Sequence, residues 1–165
     1  MTTTPRTWVV GETVTAALMN TEIRDQFNSF FGAWTAYTPT WTGTSSAPNV
    51  GNGNLIGRYL KVGRTVTLHV NFIPGSTSTF GAGAYNFGLP ATAANSGCTY
   101  VGNAHLLGGS RWAGQWLVSP NATQAGPAFP AGSADTRVAL MGPTSPEVLA
   151  AGAQLRMTVT YEAAS

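Results

Sequence analysis

The chain has 165 residues and a formal net charge of +2, and only 8% of its residues are Asp, Glu, Lys or Arg, against roughly 25% in an average soluble domain. That length fits one domain with a short appendage, and a single cysteine, Cys98, excludes an intrachain disulfide framework. A polar surface built from Thr, Ser, Asn, Gln and backbone suits a chain packed against copies of itself, or an inert one, and argues against a free cytosolic enzyme kept soluble by charge.

The basic residues are scattered singly. Only Arg58, Lys61 and Arg64 lie close together, and they read as charges on a hairpin tip or sheet edge. They do not form the stripe that neutralises phosphates, so no nucleic-acid partner is expected. No apolar run approaches the roughly 20 residues of a membrane span, and Met1–Gly11 lacks the apolar stretch of a signal peptide. The expectation is a protein that stays in its producing cell, or leaves it by lysis, without membrane insertion.

In chain order, Met1–Gly11 reads as an extended polar leader interrupted by Trp8-Val9-Val10, an apolar triplet expected to dock on something. Thr15–Phe31 carries the one helical pattern: Ala16, Met19, Ile23, Phe27 and Phe30 recur at spacings of three and four, one face of a 3.6-residue period. Thr15 or Thr13 can cap its start and Gly32 can end it. One helix ahead of a β domain has little of its own to pack on. Its apolar face is therefore expected to self-associate or enter a partner, the alternative being a helix packed on its own domain.

After Gly32, Thr, Gly, Pro and aromatic residues dominate. Ala33–Thr42 reads as one extended aromatic strand, at an edge because Pro39 cannot donate to a ladder, and Gly43–Asn54 as a loop. Leu55–Val62 and Arg64–Ile73 form a hairpin about Gly63, with Val66, Leu68, Val70 and Phe72 on one face and Thr65, Thr67, His69 and Asn71 on the other. Ala84–Leu89, a second hairpin of Thr99–Leu107 and Arg111–Val118 about Gly108-Gly109-Ser110, Thr136–Met141 and Gln154–Glu162 complete seven or eight strands. With no crossover helices between them, the pattern is antiparallel. The predicted fold is mainly β: an N-terminal extended segment and short helix over residues 1–32, then an antiparallel, jelly-roll-like β-sandwich head over 33–165.

Catalytic and metal signatures are sparse. His69 and His105 lie in alternating strands and, with one cysteine and few acids, read as ordinary strand residues rather than zinc ligands. No HExxH, CxxC, GxSxG or EF-hand pattern occurs. Gly51-Asn-Gly-Asn-Leu-Ile-Gly57 has the wrong glycine spacing for a dinucleotide loop and precedes strands rather than a helix. Beyond the helix only Asp135, Glu147 and Glu162 are acidic, a thin basis for the paired carboxylates of a glycosidase. No enzyme, metal or cofactor is expected. Trp112 and Trp116, beside Arg111 and Gln115, are the candidate ligand contact, since Trp with polar neighbours stacks on sugar rings; the alternative places both in the core.

Arg6–Gly32 (RTWVVGETVTAALMNTEIRDQFNSFFG) resembles the N-terminal segment of tail-fibre-like and minor tail proteins from phages and prophages of actinobacteria, through Trp8-x-x-Gly11-Glu12, Leu18-Met19-Asn20 and Ile23-Arg24-Asp25. Gly51–Pro90, with Gly57-Arg58-Tyr59, Val62-Gly63, Gly75-Ser76-Thr77 and Phe87-Gly88-Leu89-Pro90, resembles their β-rich head. Gly152–Ala163 resembles their last strand, with Gly152-Ala153 where that family often has Gly-Asp. The stretch Ala91–Pro146 carries little resemblance. The resemblance implies a homotrimeric β head displayed on the particle and anchored through its N-terminus, and it carries over no catalytic residue. Trp8, Met19, Ile23, Phe27 and Phe30 are then the expected virion-docking and oligomerisation residues. Other virion proteins and a host cell-surface glycan are the expected partners, with the loops Thr44–Asn54 and Asn121–Ser133 facing the cell. A capsid decoration or head-fibre protein is the alternative that a low-charge surface suits equally, and a carbohydrate-binding module or small depolymerase is the lesser one.

Overall fold

The computed structural model describes residues 6–132 and 134–164. The first five residues of the predicted leader, Ser133 at the end of the predicted Asn121–Ser133 loop, and Ser165 lie outside them. An N-terminal helical run, α1 (Ala16–Met19), a π-turn (Asn20–Arg24) and α2 (Asp25–Phe31), leads into ten strands. These are β1 (Thr35–Tyr37), β2 (Trp41–Gly43), β3 (Asn54–Val62), β4 (Thr65–Ile73), β5 (Tyr85–Gly88), β6 (Tyr100–Leu107), β7 (Arg111–Val118), β8 (Gln124–Gly132), β9 (Asp135–Leu140) and β10 (Gln154–Glu162). All pairings are antiparallel, in the order β1-β3-β4-β10-β6-β7-β8-β5-β2, with β9 also pairing with β8.

Alternation in the sequence decides which side is dry. In β4 Val66, Leu68, Val70 and Phe72 are buried, and in β10 Leu155, Met157, Val159 and Tyr161, while the residues between them face outward. The β3–β4 hairpin turns on Gly63-Arg64, with Gly63 at φ +57°, a left-handed conformation that glycine adopts without steric cost. The sheet curls so that the short β2–β5 layer lies over β4. Trp41 stacks on Phe72 at 4.5 Å and on Tyr85 at 5.1 Å, and Phe72 meets Phe87 at 6.1 Å. A two-layer mainly β head behind a short helix is thus the fold, as the alternation predicts.

Two expectations need correction. Ala33–Thr42 is not one strand: Pro39 divides it into β1, paired with β3, and β2, paired with β5. Those are the two ends of the strand order, so Thr38-Pro39-Thr40 carries the chain across the corner between them. Within the predicted Asn121–Ser133 loop, residues 124–132 are not an exposed loop. β8 runs through them in the sheet interior, with Ala125 to Phe129 buried. Gly126, Pro127 and Pro130 disguise it, and the register explains how a proline fits. β8 pairs with β7 on one side; on the other, β5 covers Gln124 and Ala125, and β9 begins at Ala128. Pro127 falls at that changeover, where no ladder needs its missing N–H, and its carbonyl accepts from the Met141 N–H at 2.8 Å.

Three tyrosines tie the layers. Tyr37 donates to the Gly88 carbonyl (3.2 Å), Tyr85 to Phe80 (2.7 Å) and Tyr161 to Ala91 (2.8 Å). Burial pushes the Tyr85 and Tyr161 phenols up to about 12 and raises Tyr37 as well. An unfolded phenol titrates near 10, so this contribution to stability is complete below pH 10 and is lost as pH rises from there through 12. Urea midpoints should be flat up to pH 10 and fall steeply between 10 and 12, and Tyr85→Phe should flatten that fall; a midpoint unchanged across the window would contradict the burial argument.

Candidate functional site

The leader before the helix is folded on itself. The Glu12 carboxylate accepts from Arg6 and from the Val9 N–H (3.3 Å), and the Glu12 N–H donates to the Val9 carbonyl at 3.1 Å. Arg6 lies over the Trp8 ring at 5.5 Å, a cation–π contact that holds the indole at the surface. Thr15 then caps the helix, its hydroxyl accepting from the Leu18 N–H at 3.2 Å. From Ala16 to Phe31 the helical run buries no residue.

Its apolar face is the most unusual surface of the molecule. Trp8, Met19, Ile23, Phe27 and Phe30 are between 39% and 63% exposed, and among the described residues the fold buries none of them. The π-turn at Asn20–Arg24 fits the spacing. Steps of four from Met19 to Ile23 to Phe27 each overstep a turn of about 3.6 residues, and a turn closed over five residues takes up the excess. Fully burying side chains of this size is worth about 1.5–3 kcal/mol each, so the face is a reservoir of association energy. Sequence periodicity puts Met19, Ile23, Phe27 and Phe30 on one helix face, and the structure leaves all four exposed; Trp8 lies ahead of the helix with Arg6 on its ring, and the π-turn has no sequence signature.

The second predicted cluster separates. Trp116 is fully buried, its indole N–H donating to the Ala125 carbonyl at 3.1 Å, so it belongs to the core and touches no ligand. Trp112 is half-buried against that core and donates to Glu147 at 3.1 Å. Arg111, one residue away in β7, points to the opposite, exposed side. Strand alternation that puts Trp112 and Trp116 on one face makes that face the inner one, and the three residues share no surface.

The acids beyond the helix are each engaged: Asp135 with Arg137 (2.6 Å), Glu162 with Arg64 (3.1 Å), and Glu147 with Trp112 and the Ser110 N–H (3.1 Å). The Arg137 guanidinium holds the Asp135 carboxyl below the usual carboxylate range. Among the described residues no group of three His, Cys, Asp or Glu could hold a metal ion, and no helix is long and apolar enough to cross a membrane. His69 and His105, which read as ordinary strand residues, line with Arg58 and Arg156 an open groove of about 460 Å³ on the outer face of the sheet.

Comparison with protein-family models, with curated proteins and with solved structures finds no match to this chain. The helix face makes its own prediction. Surface substitutions away from packed features stay within about ±0.5 kcal/mol, so Ile23→Ser, Phe27→Ser and Phe30→Ser should leave the near-ultraviolet circular dichroism of the head unchanged. A collapsed spectrum would mean that the helix is part of the head's core.

Proposed function

We propose that the chain is a structural protein of a bacteriophage particle, of the tail-fibre or receptor-binding type, in which an attachment segment over residues 1–32 carries a β head for host attachment. The observation that carries this reading is the uncovered apolar face of Met19, Ile23, Phe27 and Phe30, on a helix that buries nothing. The likeness of Arg6–Gly32, Gly51–Pro90 and Gly152–Ala163 to phage tail proteins supports it, and so does the low charge content of 8%.

The strand faces that alternation marks as apolar are consumed by the head's own core. Self-association therefore falls to the helix. Three copies set their helix faces together about a threefold axis, as cyclic homo-oligomers do, and the Trp8 hook meets the neighbouring virion protein. The heads then project from the particle, where three weak contacts with a host-surface glycan act together. A capsid decoration protein of the same build is the second reading, which the sparsely charged surface suits equally.

A full-length chain carrying Ile23→Ser, Phe27→Ser and Phe30→Ser, supplied during particle assembly, should be incorporated at least about tenfold less than wild type, the loss that about 1.4 kcal/mol of association energy represents. Wild-type incorporation would contradict the reading. Antibody labelling of particles containing the unaltered chain separates tail from capsid.

A further inference from the structure

The outer face of β3, β4, β10 and β6 collects side chains that the sequence spreads over a hundred residues. Register sets them in two parallel rows. In one, Arg58 stands opposite His69, His69 opposite Thr158, and Thr158 opposite Asn103. In the next, Asn71 stands opposite Arg156 and Arg156 opposite His105. Strands lie about 4.8 Å apart, so the first row runs three strand spacings across the sheet and the second two. Between them lies the open groove of about 460 Å³. A smaller recess of about 140 Å³ shares Arg58 and His69 with it and is closed by Trp34, whose ring stands edge-on to His69 at 4.8 Å.

Three features of this groove point to one kind of ligand. None of its lining residues is acidic. Among the described residues, Arg6, Arg24, Arg64 and Arg137 each pair with a carboxylate, whereas Arg58, Arg111 and Arg156 pair with none, and of these three Arg58 and Arg156 line the groove; the Arg156 guanidinium donates instead to the neutral Gln154 amide. Two uncompensated guanidiniums, which present planar forks of donors to carboxylates and phosphates, thus face one open groove. Around them Asn71, Asn103 and Thr158 offer neutral donors and acceptors of the kind that bind hydroxyl groups. At the end, Trp34 supplies an apolar wall on which a ring can pack. The rows are fixed by hydrogen-bonded ladders, so little ordering is needed on binding.

We propose that this groove binds a polyhydroxylated chain bearing regularly spaced negative charges, carboxylates or phosphodiesters. A nucleic acid fits less well. Duplex binding draws on many phosphate contacts, and single strands are held on successive aromatic platforms, where this groove has two arginines and one tryptophan. The site stands on its own geometry; that it serves host attachment rests on the reading above.

The test is titration calorimetry on the purified full-length chain. The probes are an oligogalacturonate for the carboxylate arm, a glycerol-phosphate oligomer for the phosphodiester arm, maltohexaose as the neutral control and a single-stranded oligonucleotide. At least one of the first two should bind about tenfold more tightly than maltohexaose, and which one binds identifies the charged group. Arg58→Gln and Arg156→Gln should each weaken that binding about tenfold, the worth of one charged hydrogen bond, with molar mass and near-ultraviolet spectrum unchanged. Trp34→Ala should weaken it as well.

Four results would overturn the proposal: no preference for either charged probe over maltohexaose, wild-type affinity in both arginine variants, tighter binding of the oligonucleotide through the same residues, or a change of molar mass in the variants, which would make the face a contact between copies. Because no particle is involved, absence of binding would sink the groove and leave the virion reading standing. Wild-type incorporation of the helix-face variant into particles would do the reverse.

Discussion

Everything in the head depends on one run of nine residues, Thr35–Gly43, supplying both ends of a curled sheet. β1 closes against β3 and β2 against β5, with Pro39 buried at the corner between them. The closure is held from several sides. The Tyr37 ring lies where a Cβ on Gly57 would come within 2.2 Å of it, so only glycine leaves room there. The Tyr37 hydroxyl reaches the Gly88 carbonyl at 3.2 Å, and the Gly88 N–H returns a bond to Thr40 at 2.9 Å. Beyond the corner, Trp41 enters the aromatic cluster with Phe72 and Tyr85. The residue just before the closing run, Trp34, stands edge-on to His69 at 4.8 Å.

Closure sorts the chain's apolar groups into two populations. Those at inward strand positions are spent on the core, from Val66 at 0% exposure to Trp116 at 0%. Those on the helix remain outside, with Phe27 at 60% and Phe30 at 63%. A chain with six acids and eight strongly basic residues has few charges to arrange, and four arginines are already neutralised by carboxylates. What remains uncompensated on the outer sheet face is therefore conspicuous. The proposed attachment role draws on both: an apolar helix face for association and, on the head, a groove lined by two guanidiniums that no carboxylate pairs.

Much of this was legible in the sequence. Period-two alternation marked β4 and β10 residue by residue, glycines marked both hairpin turns, and the spacing of Met19, Ile23, Phe27 and Phe30 marked a face without a partner. β8 was hidden because Gly126, Pro127 and Pro130 carry loop chemistry, and only the changeover between β5 and β9 makes that composition compatible with a strand. Trp116 looked like a ligand contact because alternation fixes which residues share a face, not which face is dry. The groove was invisible for a different reason. Arg58, His69, Asn103, His105 and Arg156 come from four strands, and strand order, with β10 inserted between β4 and β6, is what brings them together. The outward phase of His69 and Asn71 beside the inward Leu68 and Val70 was the one available signal.

The proposed function requires the exposed helix face to hold copies of this chain together. The molar mass of the purified full-length protein, by light scattering after size exclusion, tests it most directly. A homotrimer gives a value about three times 17.1 kDa, the mass of one chain. A stable species of 17.1 kDa at micromolar concentration would contradict it.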